Sequence, residues 1–255
     1  MKGCLTLLGT SGSLGIPVIG CRCSVCLSSS MHNKRKRPCN LLQIEDKNFL
    51  IDAGPDFREL ALKYHIHKLD GLILTHTHFD HIAGLDDLRV YSFLTNQPLP
   101  ILCSAITEKE LKEFFFYLFQ EKVKQKFTFV SLGSKKRDVE FLNIKFSYAF
   151  YEQIGMQVTG FRVGDLSFVT DIKNYDHDLM KMISGSKTLV IGALEWNPTR
   201  AHLGLHDVIE IASKARVESC YVTHIGHELD HHKTNENLPK FMQLAYDGLS
   251  LEFTL

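Results

Sequence analysis

The stretch THTHFDH at 75–81 carries three histidines and an aspartate close together in the chain. It follows a short apolar run that is typical of a buried strand. In extended backbone, residues two apart project to the same side, so His76 and His78 can bind one ion. If the chain then turns, Asp80 and His81 can face a second ion nearby. Imidazole and carboxylate groups bind Zn²⁺, Mn²⁺ or Fe²⁺, so the pattern predicts a metal centre that does chemistry.

Two later apolar runs end in further candidate ligands. SFVTD ends in Asp171, and CYVTH ends in His224. Layered α/β proteins gather the residues of their sites at the ends of strands. Two ions about 3.5–4 Å apart can hold a hydroxide between them, polarise a phosphoryl or carbonyl oxygen and stabilise the charge that develops. The set therefore predicts hydrolysis.

A second group of metal-binding residue types is CRCSVC, which supplies Cys21, Cys23 and Cys26. Thiolates at this spacing can wrap one ion tetrahedrally, and a site closed by four ligands is structural because no position is left for water. Three thiolates are one ligand short of that. From these residues alone, the alternatives to zinc are an iron–sulfur cluster that adds Cys39, or ordinary buried thiols.

Length and composition predict one soluble domain. The chain has 255 residues, 44% of them apolar, which favours a single domain over 1–255 with a sizeable core. Lysine plus arginine equals aspartate plus glutamate, 29 each, so no overall field draws polyanions or membranes. The N-terminus lacks the pattern of a signal peptide, and no run approaches the about 18 apolar residues of a membrane span. We expect a cytoplasmic protein whose cysteines are thiols or metal ligands rather than disulfides.

The pattern of elements predicts a layered α/β fold. Short β-type runs alternate with helical patterns along the whole chain. NLLQIEDKNFLID predicts a hairpin with its turn at 45–48, and AYDGLSLEF contains an Asp247–Gly248 turn before the last strand. Hairpins mixed with crossovers imply mixed sheets. Helical patterns begin near Asp56, Thr107, Asn174, His206 and Asn235.

One helical pattern, TEKELKEFFFYLFQEK at 107–122, is unusually aromatic. A capping box from Thr107 to Glu110 predicts its start. A core-facing stripe is expected from Leu111, Phe114, Phe115, Leu118 and Phe119. We expect a helix packed on two sides, with a partner surface or substrate lid as the alternative.

Several charged or histidine-containing segments predict solvated surface. KRKR at 34–37 is expected on a solvated loop, with contact to a substrate phosphate as the alternative. EKVKQK at 121–126 and SKKR at 134–137 are expected to be exposed. The same holds for His231 and His232 in ELDHHK.

The motifs together resemble a known family. THTHFDH, with LIDAG upstream, TD at 170–171 and TH at 223–224, resembles the metallo-β-lactamase superfamily across nearly the whole chain. The resemblance implies a four-layer αββα sandwich with two mixed sheets and the metals at one edge. GTSGSLGIPVIGCRCSVC, PDFREL, HIAGLDDLR, GFRVG, AHLGLHDVIEIA and THIGHELDHHKTNENLP resemble the branch that contains phosphoribosyl cyclic phosphate phosphodiesterase, with ribonuclease Z as a more distant relative.

The resemblance also implies roles for individual residues. One ion would be bound by His76 and His78, the other by Asp80, His81 and His224, with Asp171 bridging them. Asp80 and His202 are expected to act in catalysis, His202 by donating a proton to the leaving oxygen. Asp52 is expected to accept the free N–H of a ligand histidine. His227, three residues after His224, would close the cysteine site around a structural zinc.

One position departs from the family pattern. The family usually has a further histidine about eight residues before the GF of VTGF, and this chain has Gln153 there with Glu152 beside it. Glutamate is a plausible ligand, whereas glutamine is a poor one. Either Glu152 substitutes, or the first ion is held loosely by His76, His78 and Asp171. We expect a weakened or metal-selective first site with hydrolysis retained.

The sequence therefore predicts a metal-dependent phosphodiesterase. It would cleave a small cyclic phosphate or phosphodiester with a metal-bound hydroxide, using two divalent ions (Zn or Mn) beside the structural zinc. A tRNA 3′-processing endonuclease is the enzymatic alternative, disfavoured by the zero net charge and by the lack of a long basic inserted arm. A non-catalytic binding or assembly protein is a third alternative. The expected partner is a small phosphorylated substrate rather than nucleic acid or a membrane, and a homodimer is compatible with the sequence.

Overall fold

The computed structural model describes residues 1–120, 124–134 and 137–255. Its strands are β1 Lys2–Gly9, β2 Cys39–Ile44, β3 Lys47–Ala53, β4 Gly71–Ile73, β5 Leu99–Ser104, β6 Phe127–Leu132, β7 Asp138–Phe141, β8 Ile144–Gln153, β9 Met156–Val163, β10 Leu166–Val169, β11 Thr188–Gly192, β12 Ser219–Thr223, β13 Met242–Leu244 and β14 Leu249–Thr254. Its α-helices are α1 Phe57–Lys63, α2 Phe79–Ile82, α3 Leu85–Thr95, α4 Ala105–Phe114, α5 His177–Ile183, α6 Leu205–Ala215 and α7 His231–Asn235.

The strands form two mixed sheets, as the hairpins and crossovers in the sequence predict. Within the described residues one sheet has the order β14-β1-β2-β3-β4-β5-β6 and the other β13-β12-β11-β10-β9-β8-β7. In the first sheet, β1 to β3 pair antiparallel and β3 to β6 pair parallel. In the second, β7 to β10 pair antiparallel and β10 to β13 pair parallel.

Apolar clusters show how the layers stack. Between the sheets, Leu42 of the first faces a core that also contains Phe168 of the second. On the outer face of the first sheet, α1, α3 and α4 bury side chains such as Phe57 and Leu88. On the outer face of the second sheet, α5 and α6 bury side chains such as Leu179. The order helix, sheet, sheet, helix is the predicted αββα sandwich, and the fold prediction is confirmed.

Parallel pairing places the candidate ligands together. β3 and β4 run parallel, so Asp52 near the end of β3 lies beside the chain that leaves β4 toward His76. β10, β11 and β12 also run parallel, so Asp171 and His224 follow strands that end at one edge. Because carboxyl ends of parallel strands share an edge, residues far apart in sequence meet there.

The aromatic helix differs from its prediction. α4 begins earlier than Thr107, because Ser104 is the N-cap and its hydroxyl accepts the Thr107 N–H at 3.1 Å. The α-helix ends at Phe114, and a 3₁₀ turn follows at Phe116–Leu118. Phe114 was expected in the core but is 59% exposed, so the idea of a helix packed on two sides is wrong.

Three smaller expectations have mixed outcomes. The helix expected to begin near Asn235 ends there instead, because Asp230 caps it by accepting the N–H groups of His232 and Lys233. The charged runs at 121–126 and 134–137 fall partly outside the described residues, which omit 121–123 and 135–136. In the described chain, no helix has the length and apolar character needed to cross a membrane.

Candidate metal centre

The motif after β4 brings its histidines together. His76 is fully buried, and its Nε2 lies 2.9 Å from Nδ1 of His78. Thr75, the residue before, places its hydroxyl 2.9 Å from His76 Nδ1, which leaves Nε2 facing the centre. The extended backbone at His78 then turns into the short helix α2. This turn carries Asp80 and His81 to the same edge, as the sequence predicts.

Asp171 lies at the middle of the cluster. Its Oδ2 is 3.0 Å from His81 Nε2, and its Oδ1 is 3.2 Å from His224 Nε2. The same Oδ1 is 3.2 Å from His202 Nε2. Asp80 Oδ2 lies 3.5 Å from the same His81 Nε2. One carboxylate thus contacts residues that arrive from three different segments of the chain.

The donor set fits a divalent ion. In the described chain, three overlapping trios have ligand atoms within 4.8 Å of one another: His76, His81 and Asp171; Asp80, His81 and His224; Asp171, His202 and His224. Nitrogen and oxygen ligands about 2.0–2.1 Å from zinc stand about 3.3 Å apart in a tetrahedron, close to the 3.0–3.5 Å separations around His81. Asp80 Oδ2 and His81 Nε2 are buried with no hydrogen-bond partner among the described residues. A cation bound between them would satisfy these two unpartnered ligand atoms, which lie 3.5 Å apart.

Buried carboxylates set the electrostatics of the cluster. Burial alone would lower the pKa of His81, but the carboxylates of Asp171, Asp80 and Asp52 raise that pKa well above its usual value. Burial would raise the pKa of Asp171, yet the neighbouring His224 and His81 hold it well below its usual range. Asp171 is therefore ionised at neutral pH, and the cluster attracts positive charge.

Unusual backbone positions the ligands. Asp52, Asp171 and His224 have φ values of 60°, 49° and 55°, in the left-handed region that non-glycine residues seldom adopt. Each residue lies at or just past the end of a strand, where this conformation turns the side chain toward the shared edge. Backbone strain of this kind clusters at functional sites because surrounding contacts hold it there.

Asp52 makes the contact expected of it. Its Oδ2 accepts the Nδ1–H of His81 at 2.7 Å, and its two oxygens accept the Thr75 N–H at 2.9 Å and hydroxyl at 2.8 Å. The Asp52 contact fixes which ring nitrogen of His81 carries the proton and leaves Nε2 free for an ion. Gly54 lies beside it, and a Cβ there would be 2.3 Å from the Asp80 carbonyl oxygen, so LIDAG needs its glycine.

At the position that departs from the family pattern, Glu152 faces solvent and Gln153 faces the cluster. Glu152 is exposed, and its carboxylate accepts the Gly155 N–H at 3.1 Å in the hairpin turn, so the option that Glu152 substitutes as ligand is wrong. Gln153 is buried, with Nε2 3.1 Å from Asp171 Oδ1 and 2.7 Å from His202 Nε2. Its Oε1 has no partner in the described part of the chain. The amide therefore occupies the position where the family resemblance leads us to expect an imidazole.

His202 is the histidine of AHLGLHDV that reaches the cluster. The Leu203 N–H donates to the Ile172 carbonyl at 2.9 Å, which anchors the segment beside Asp171. The Thr199 hydroxyl accepts the His202 N–H at 2.9 Å. His206 is exposed and lies against Trp196, which matches its expected place on the surface.

The cysteines form a separate cluster with His227. Nδ1 of His227 lies 3.2 Å from Cys21 Sγ and 3.5 Å from the Sγ atoms of Cys23 and Cys26. Zinc ligands at about 2.3 Å for sulfur and 2.0–2.1 Å for nitrogen stand about 3.5 Å apart in a tetrahedron, so the four residues fit zinc. Cys39 is a buried residue of β2 and is outside this group, so the alternative of an iron–sulfur cluster lacks its fourth thiolate.

The two clusters are joined by one loop. Ile225 lies between His224 and His227. It donates its N–H to the Thr10 carbonyl at 2.9 Å, and its carbonyl accepts the Gly12 N–H at 3.0 Å. His227 is fixed by its other nitrogen, 3.1 Å from Glu228 Oε1. The cysteine cluster therefore fastens the N-terminal loop to the loop that presents His224.

Replacing Cys26 with serine should release the structural ion and lower the melting temperature. Burial raises the pKa of the Cys26 thiol to about 11, so the thiol would ionise at neutral pH only on binding a cation. We expect a loss of several degrees, at about 2–4 °C per kcal/mol. Zinc content and thermal unfolding measure this, with Cys4→Ser in β1 as control. Equal zinc content in both variants would contradict the assignment.

Threonines beside the candidate ligands have a role that the sequence did not predict. A threonine precedes each of four candidate ligands, at Thr75, Thr77, Thr170 and Thr223. Thr75 binds Asp52, and the Thr170 hydroxyl donates to Asp171 Oδ2 at 2.8 Å. The repeated TH, TD and TH at strand ends was the available signal, because a hydroxyl there can orient a buried carboxylate.

The fold and the cluster define a class of protein. A family model described as a β-lactamase superfamily domain matches residues 47–225. The chain belongs to this superfamily and has the metallo-β-lactamase hydrolase fold.

Within the superfamily, the chain is similar to several individual proteins. A crystal structure of a diphosphatase from the PhnP family superposes with a TM-score of 0.92 at 38% identity, covering 99% of this chain and 98% of that one. An octanoyltransferase of Porphyromonas gingivalis is 30% identical over 251 residues, 95% of this chain and 50% of that protein. A ribonuclease Z of Mycolicibacterium gilvum is 32% identical over 94 residues, 32% of this chain and 33% of that protein. The chain spans half or less of these two curated relatives.

Proposed function

We propose that the chain is a metal-dependent phosphodiesterase that cleaves a small phosphodiester, cyclic phosphate or diphosphate. The observation that carries the proposal is the convergence of Asp80, His81, Asp171 and His224, in which the buried Asp80 Oδ2 and His81 Nε2 lack hydrogen-bond partners among the described residues. Similarity to a diphosphatase of the PhnP family at 38% identity supports phosphorus as the centre attacked. Cytoplasmic location is part of the proposal.

The roles of this chain's residues follow from their contacts. Divalent ions bound here would activate water and neutralise the charge that develops on phosphorus oxygens. Asp171 holds the two halves of the cluster together, and Asp52 orients His81. His202 is half-buried at the rim of the cluster, where an imidazole can donate a proton to a departing alkoxide.

The ligand set favours one well-bound ion. Asp80, His81, His224 and Asp171 offer four donors to the second ion. His76, His78 and Asp171 offer three to the first, and the Gln153 amide beside Asp171 is a poor ligand. We propose that the first ion binds more weakly than the second, with zinc or manganese as candidates. The ions at this centre add to the structural zinc.

The alternatives have less support. The ribonuclease Z of M. gilvum matches only about a third of this chain, so a tRNA-processing role rests on a partial likeness. A non-catalytic assembly protein would not need the ligand atoms of Asp80, His81 and His224 to lie within 4.8 Å of one another, as they do here.

Two substrates test the proposal and the role of His202. The protein loaded with Mn²⁺ or Zn²⁺ should hydrolyse bis(p-nitrophenyl) phosphate, which has a good leaving group, and 2′,3′-cyclic AMP, which must expel an alkoxide. His202→Ala should lower kcat on the cyclic nucleotide about 100-fold and on the nitrophenyl ester far less, with metal content retained. His206→Ala is the matched control and should match the parent protein. An equal effect of His202→Ala on both substrates would remove the proton-donor role, and no turnover with any ion would overturn the proposal.

A further inference from the structure

His202 lies on a short turn that is closed by its own hydrogen bonds. The Thr199 N–H donates to the His202 carbonyl at 3.0 Å. The Thr199 hydroxyl accepts the N–H groups of Ala201 and His202 at 3.2 and 2.9 Å. Residues 199–202 belong to the connection between β11 and α6 rather than to a helix or strand. The position of His202 therefore depends on what neighbouring segments bind this turn.

The segment that follows β10 binds the turn through consecutive residues. Asp171 Oδ1 lies 3.2 Å from His202 Nε2, so the first contact is to the imidazole itself. The Ile172 carbonyl accepts the Leu203 N–H at 2.9 Å, so the second contact is to the backbone just after the turn. The next residue, Lys173, provides a third contact.

Lys173 binds the carbonyl side of the turn. Its Nζ donates to the Thr199 carbonyl at 2.6 Å, and the His202 carbonyl oxygen lies 3.5 Å from the same ammonium. An ammonium has three N–H donors and no acceptor, so one group can bind two converging carbonyls, and its charge strengthens the bonds. Among the described residues, both hydrogen-bond partners of Nζ are these carbonyl oxygens.

The backbone of Lys173 is itself held in place. Its N–H and that of Asn174 donate to the Glu152 carbonyl at 3.2 and 2.9 Å, and the Glu152 N–H donates to the Asn174 carbonyl at 3.0 Å. Glu152 belongs to β8, so these bonds attach the segment to the second sheet. The half-buried Lys173 side chain thus extends from a fixed backbone to the turn that carries His202.

The turn needs a support that the metal does not use. Asp171 Oδ1 is also 3.2 Å from His224 Nε2 and belongs to the proposed ligand set, so Asp171 serves the ions as well as His202. The bonds from Ile172 and Lys173 involve no atom of a proposed ligand side chain. A proton donor must stay within hydrogen-bond reach of the leaving oxygen, and small displacements lower the rate strongly.

We propose that Lys173 is a positioning residue for His202, and that its ammonium holds the 199–202 turn so that the imidazole reaches the leaving oxygen. The inference rests on the proposed function, which gives His202 its role as proton donor. Lys173 acts through the backbone of the turn and touches neither the substrate nor an ion. Loss of the ammonium should therefore impair proton donation and leave metal binding unchanged.

Kinetics on the two substrates tests this. Lys173→Met should lower kcat on 2′,3′-cyclic AMP about tenfold, with KM and metal content unchanged, and should change kcat on bis(p-nitrophenyl) phosphate less than about twofold. Lys173→Arg keeps the charge and the donors and should restore most of the lost kcat. Lys68→Met is the matched control, because Lys68 Nζ also donates to a backbone carbonyl, that of Asp46 at 3.1 Å, and it should match the parent protein.

A double variant shows whether Lys173 acts through His202. In a protein that already carries His202→Ala, Lys173→Met should cause no further loss on the cyclic nucleotide, because both residues serve one step. A further tenfold loss there, or an equal loss on both substrates, would mean that Lys173 acts on the substrate instead. Loss of metal in Lys173→Met would mean that it supports Asp171. Each of these results would overturn the inference.

Hydrogen exchange tests the contact without turnover. Without added metal, the Thr199 and His202 N–H groups should exchange at least about tenfold faster in Lys173→Met than in the parent protein, since the turn opens more easily. The N–H of Val222 in β12 should exchange at the same rate in both. Unchanged exchange in the turn would overturn the inference whatever the activity. Faster exchange in the turn of a protein that hydrolyses neither substrate would support the contact and refute the proposed function.

Discussion

Asp171→Asn should reduce turnover of bis(p-nitrophenyl) phosphate by more than about 100-fold. Losing a residue that only hydrogen-bonds to a metal ligand typically lowers metal affinity or activity about 10–100-fold. Asp171 is proposed as a ligand itself and contacts His81, His224 and His202 directly. The amide keeps the shape of the side chain but loses its negative charge, and one of its ends is a donor that repels a cation. The metal content of the variant should fall by at least one ion per chain.

Asp178→Asn is the control for Asp171. It removes a carboxylate that pairs with Arg137 at 2.6 Å on the surface, away from the centre. Its turnover and metal content should match the parent protein. If Asp171→Asn retained full activity and all its ions, the cluster would not be a metal centre of the proposed kind.

Gln153→His should add tightly bound metal. The Gln153 amide lies between Asp171 and His202, where an imidazole would supply the donor that the first ion lacks. We expect close to one additional equivalent of zinc or manganese per chain, retained through dialysis against a weak chelator. Turnover should then need less added metal to reach its maximum.

The control for this change is Gln157→His. Gln157 pairs with Glu152 on the neighbouring strand. The substitution there introduces the same imidazole outside the cluster. An unchanged metal count in Gln153→His would mean that glutamine is not what weakens the first site. The amide would then serve chiefly to position His202.

The ligand cluster was largely predictable because its residue types and spacing are constrained by chemistry. His76 and His78 are two residues apart, so extended backbone places them on the same side. The candidates Asp171 and His224 follow apolar strands whose parallel pairing brings their ends together. The αββα architecture followed from the family resemblance and from the mixture of hairpins and crossovers.

Other features depended on contacts that sequence does not encode locally. Phe114 lies in an apolar stripe, yet the α-helix ends there and leaves its ring exposed. Arg35 and His231 read as surface residues, but they are buried against each other from segments almost 200 positions apart. Glu152 and Gln153 were both candidates, and strand alternation decided that only Gln153 faces inward.

Metal-edge anomalous diffraction from crystals of the parent protein tests the central claim most directly. We expect a strong peak enclosed by Asp80, His81, His224 and Asp171, a second among the three thiolates and His227, and a weaker one beside His76 and His78. A peak at the cysteines alone, in crystals grown with excess zinc or manganese, would contradict the proposed metal centre and the hydrolase function built on it.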